Sequence, residues 1–141
     1  MTRETRKNAG LLLVIMPTVV YGGVSLLGLL VGHMHGYQDN PVRHDLWRAG
    51  HAHAGVLLIL SLVALMYVDE TDLPAAGKTL VRWCFPLSAI FLPAAMFLSI
   101  LSPESGRPSA LIYLAYVGAA VLVTGMIVLG IGLIRARTSR P

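Results

Sequence analysis

Four stretches of this chain are so apolar and so long that water is the wrong solvent for them. They run over about residues 9–32, 50–68, 81–101 and 109–134. A hydrocarbon core takes roughly 20 helical residues to cross, and every stretch is close to that length or longer. The expected fold is therefore all-α, a four-transmembrane-helix bundle forming a single membrane domain over residues 1–141. Charged residues make up 13% of the chain, about half of what a soluble domain carries. The first apolar run is too long for a signal peptide and no small-residue cleavage site follows it.

Short polar segments punctuate the helices. The turn over 69–78 contains Pro74 and Gly77, and a second turn runs from Ser102 to Pro108. Pro17 is expected to bend the first helix, and Pro86 and Pro93 free carbonyls in the third that neighbouring helices must satisfy. Gly28 and Gly32 form a GxxxG spacing, and Gly118, Gly125 and Gly132 recur every seven residues. Such small-residue stripes permit close helix approach, and the second is read as a contact between subunits. Cys84 is the single cysteine, which rules out a disulfide framework and a cysteine-based zinc site. It reads as a small apolar filler at a helix end.

The formal charge of +4 does not point to nucleic acid, because the basic residues sit mostly at the two ends. They instead report orientation. The first tail carries Arg3, Arg6 and Lys7, the 69–82 segment Lys78 and Arg82, and the last tail Arg135, Arg137 and Arg140. The opposite loops carry only Arg43, Arg48 and Arg107, so the bias is eight against three. By the positive-inside rule both termini are expected in the cytoplasm. The expected location is a bacterial inner (plasma) membrane, with lipid as the surrounding partner. Trp47 and Trp83 fall near opposite interfaces, where an aromatic belt would hold them.

All five histidines, His33, His35, His44, His51 and His53, lie within residues 33–53. Imidazole is a common metal and haem ligand and is costly at a membrane boundary without a partner. His51 and His53 open the second apolar run and are the candidate metal ligands. On a helix, residues two apart point about 200° from each other, so the pair cannot bind one metal from one helix. Ala49, Gly50, Ala52, Ala54 and Gly55 leave room beside them for a flat macrocycle. Arg43 and Arg48 are candidate partners for haem propionates. His44 reads as part of a solvated loop with Arg43, Asp45 and Arg48, and His33 and His35 as capping, interfacial or ligating residues.

At Trp47, Arg48 and Ala52-His53-Ala54-Gly55 the chain resembles styrene oxide isomerase, a small four-helix membrane enzyme carrying haem b. The likeness extends to the apolar Gly-rich first helix, Gly77-Lys78-Thr79, the Ser102-Pro103 turn and the Arg-rich tail. It implies His53 as the haem-ligating residue, on its Ala-His-small-Gly context and its spacing to Lys78-Thr79. His51 is the second candidate, on its distance from Trp47. It also implies cofactor-binding roles for Arg48, Arg43 and Trp47, a homotrimer with haem near subunit contacts, and a small apolar substrate. Ferric haem would there act as a Lewis acid that rearranges an epoxide to a carbonyl compound. Leu57, Leu58 and Ile59, and Met96, Phe97 and Leu98, stand where the family has an Asn and a Tyr.

Two other functions fit the histidines. One is a non-catalytic haem b protein for electron transfer or gas binding, which two axial histidines would favour. The other is a copper or zinc site built from His33, His35, His51 and His53, with Met34 as a soft ligand for copper.

Overall fold

The computed structural model describes residues 1–136, so Arg137 and Arg140 lie outside the described residues. Among the described residues there are four α-helices: α1 (Arg3–Val31), α2 (Pro41–Val68), α3 (Ala75–Leu98) and α4 (Leu114–Arg135), the last entered through a 3-10 turn at Ala110–Tyr113. All four hydrophobic segments are long and apolar enough to cross a membrane, and the chain is a membrane protein on that ground.

The first three helices begin earlier than their apolar runs, because caps rather than hydropathy set their starts, whereas α4 begins only at Leu114. Thr2 opens α1 by accepting the Thr5 N–H at 3.2 Å, which makes the polar residues before Ala9 helical. The larger difference is in α2, which starts at Pro41 and not near Gly50. Asn40 caps it by accepting the Arg43 N–H at 3.0 Å, and Pro41 supplies the preset φ of a first helical residue. Arg43, His44, Asp45, Trp47 and Arg48 are therefore helical residues with fixed faces, not a solvated loop. α3 starts at Ala75, directly after Pro74, and α1 continues through Pro17 without a break.

α3 packs along both α2 and α4, while α1 lies mainly on α2. One core cluster joins Ala64, Val68, Val81, Phe85 and Leu129, and a second joins Leu12, Leu58 and Leu65 across α1 and α2. The seven-residue glycine stripe of α4 is used inside the chain. A Cβ would meet Leu92 at 3.0 Å from Gly118, Cys84 at 2.7 Å from Gly125, and Leu73 at 2.8 Å from Gly132. That stripe is thus the seat of α3 and the α2–α3 turn, which corrects its reading as a subunit contact. Gly28 has no neighbour within 4 Å.

The ends of the bundle are held by polar groups. At one end Arg82, in the second turn of α3, is 6% exposed and donates to Asp69 (2.9 Å), Glu4 (3.1 Å) and the Thr5 hydroxyl (3.1 Å). It is a buried latch between α1, the end of α2 and α3, not a loop charge. At the other end Asn40 donates from Nδ2 to the carbonyls of Pro103 and Ser105 at 2.8 and 2.9 Å. One side chain thereby caps α2 and pins the α3–α4 turn. A Cβ on Gly36 (φ 75°) would collide with Pro103 Cβ, so the two loops touch where only glycine fits.

Candidate functional site

The histidine-bearing end is built by α2 and the loop before it. His33 holds a left-handed φ of 48° and ends α1, with Met34 N–H reaching back to Leu29 O at 3.2 Å. Its Nδ1 lies 2.8 Å from Gln38 Oε1. His35 Nδ1 lies 2.5 Å from Asp39 Oδ2. Slight burial acts to raise the Asp39 carboxyl, but the Gly36 N–H, its own backbone N–H and His35 outweigh it and hold the group below its usual range. These two histidines shape the loop. Among the described residues no group of three or more His, Cys, Asp or Glu side chains is gathered as a metal would need.

His51 and His53 diverge on α2 as their spacing requires. His51 turns toward α1 and lies over Gly22 and Gly23, where a Cβ on Gly23 would come within 2.9 Å of its Nε2. His53 stands on an exposed face, with its Nδ1 at 2.7 Å from Ala49 O. A carbonyl only accepts, so Nδ1 donates to it, and Nε2 is the ring nitrogen directed away from the helix. A metal-binding imidazole is oriented in this way. Ala52 and Val56, also exposed, flank it with small or apolar surface.

The sizeable cavity of this end lies on the His51 side. It is an open groove of about 850 Å³ between α1 and α2. Leu26, Leu27 and Leu30 of α1 form its apolar wall, and His44, Asp45, Arg48 and His51 of α2 its polar wall, with Tyr37 contributed by the loop. His44 and His51, seven residues apart, share this face. His44 was not expected here, and the Asn40-Pro41 start signal would have placed it. Nothing in the local sequence marks Tyr37.

The other expected cofactor residues separate. Arg48 lies five residues before His53, about 140° around the helix, and belongs to the groove. Arg43 donates to Gly36 O at 2.8 Å and stacks on Trp47, 4.1 Å from guanidinium carbon to ring centre. Trp47 packs between Tyr37 and Phe97, with ring centres 6.1 and 6.0 Å away. Arg43 and Trp47 therefore fasten the loop to α2 and α3, and neither shares the His53 face.

The fold and site define an integral membrane bundle with one end dense in imidazole. No family model, no curated protein and no solved structure matches the chain. The likeness to styrene oxide isomerase accordingly rests on the short motifs quoted above.

Proposed function

We propose that the chain is a membrane haem b protein with His53 as the axial ligand, working as an isomerase on a small apolar epoxide. The observation that carries this reading is the His53 imidazole, its Nδ1–H held by Ala49 O at 2.7 Å and its Nε2 presented on an exposed helix face. A polar ring at that depth in a membrane is costly unless something covers it. A flat macrocycle against Ala52 and Val56, with a second copy of the chain beyond it, supplies such a cover. This supports a homo-oligomer, a trimer by resemblance, and the bias of basic residues supports both termini in the cytoplasm of a bacterial inner membrane.

When bound, ferric haem supplies a Lewis acid able to polarise an epoxide oxygen. The chain's part is to fix the ligand and keep water out. The Ala49 carbonyl fixes the His53 tautomer and ring direction, and raises the basicity of Nε2. Exposed Val56, Ile59 and Val63 continue the His53 side of α2 as an apolar surface. Excluding water there would favour rearrangement over diol formation.

The test measures bound haem and the Soret band in His53→Ala and His51→Ala, each purified from the membrane. Loss of haem from His53→Ala with retention in His51→Ala is the expected result. The reverse pattern moves the ligand to the α1–α2 groove. Haem absent from the unaltered protein sinks the reading.

A further inference from the structure

The His53 reading makes no use of the polar donors of the α1–α2 groove, although Ala49 and Ala52, which orient and flank His53, also line that groove. That groove has a short apolar wall, since Leu26 to Leu30 covers only about 6 Å of helix axis. Its inner edge is closed by His51 lying on Gly22 and Gly23. Its polar side carries two hydrogen-bond donors that the chain itself leaves unused. Tyr37 is 3% exposed, and its hydroxyl has no partner among the described residues. Burial pushes that phenol above its ordinary value, and the nearby Arg48 charge only partly opposes this, so it stays a donor. Arg48 is exposed and forms no ion pair with the described residues. Asp45, the acid of the groove, sits 3.3 Å from His44 Nδ1 rather than on Arg48.

We propose that this groove binds a compact amphiphilic monocarboxylate, its carboxylate on Arg48 and Tyr37 and its short apolar body against Leu26, Leu27 and Leu30. A guanidinium free of any ion pair, beside a neutral O–H donor, selects an anion with two acceptor oxygens. A cation would meet Arg48 unfavourably, and a neutral apolar ligand would leave Tyr37 buried without a partner. The volume of about 850 Å³ lies in the usual range for small-ligand sites. The wall is too short to seat the two acyl chains of a phospholipid. Its anchors, Arg48 and Tyr37, do not hold the haem of the proposed function, although the groove shares Ala52 with that site.

Octanoate is the probe, titrated calorimetrically into the purified protein in nanodiscs with empty nanodiscs subtracted. Saturable binding is expected, weakened about tenfold by Arg48→Gln and severalfold by Tyr37→Phe. Leu27→Trp, which fills the groove, should abolish binding while the visible spectrum stays that of the unaltered protein. His53→Ala should bind octanoate normally, which separates this site from the proposed haem site. Non-saturable uptake, or equal uptake by Arg48→Gln and Tyr37→Phe, would mean simple partitioning and overturn the proposal. Tighter binding of dioctanoyl phosphatidylglycerol than of octanoate would assign the groove to lipid instead and overturn it equally.

Discussion

His51 and Gly23 show how one residue's chemistry depends on another's lack of a side chain. The imidazole lies where a Cβ on Gly23 would stand, 2.9 Å from Nε2, while a Cβ on Gly22 would clear the ring by 3.7 Å. Gly23→Ala should therefore push the ring outward and cost about 1 kcal/mol or more. Gly22→Ala should be nearly neutral, since alanine also favours the helix. Removing the ring removes the conflict, so Gly23→Ala added to His51→Ala should cost less than in the presence of His51. A thermal-unfolding double-mutant cycle in detergent measures this, and strict additivity would show that the ring does not depend on Gly23.

At the scale of elements, four apolar runs were enough to read four membrane helices, because hydropathy reports solvent directly. The starts were not legible from hydropathy, since Thr2, Asn40 and Pro74 act through backbone capping geometry. Misplacing the start of α2 made His44 and Arg48 into loop residues and hid the groove. The divergence of His51 and His53 was legible, because helical periodicity alone dictates it. The partners of Arg82 were not, since Glu4 and Asp69 lie 78 and 13 residues away. That latch gives a prediction for three elements together. Arg82→Leu should destabilise by about 2–3 kcal/mol, because it removes the charge-assisted bonds to Asp69 and Glu4 and leaves the half-buried Asp69 carboxylate with only the Thr2 N–H and Thr5 hydroxyl. Glu4→Gln should cost under about 1 kcal/mol, as Glu4 is 56% exposed. Burial alone would raise the Asp69 carboxyl, but the Thr2 N–H, the Thr5 hydroxyl and Arg82 outweigh it and hold the group below its ordinary range. A depressed folded-state value stabilises above the unfolded value, about 3.9, and the benefit is lost as pH falls through the folded value. Unfolding temperature should thus be level from neutral pH to about 5 and fall below about 4, less steeply in Asp69→Asn. An unchanged acid slope in that variant would remove Asp69 from the latch.

For the whole molecule, the distribution of basic residues between its two ends bears on which end faces the cytoplasm. Arg82 is paired with Asp69 and Glu4, yet it still counts at the latch end, because acidic partners weigh little in the rule. Arg3, Arg6, Lys7, Lys78 and Arg135 stay at the latch end, and Arg137 and Arg140 follow Arg135 in sequence. The histidine end carries Arg43, Arg48 and Arg107, of which Arg43 is stacked on Trp47 and bonded to Gly36. The bias therefore survives, and on the proposed orientation the His53 face and the α1–α2 groove would face the outside. An impermeant maleimide applied to intact cells should label Gln38→Cys, whose site is exposed at the histidine end. Lys7→Cys should react only after lysis. Both variants are made on Cys84→Ala, although the native thiol is 5% exposed and packed under Gly125. Labelling of Lys7→Cys in intact cells would invert the protein, and a ligand for the groove would then have to arrive from the cytoplasm.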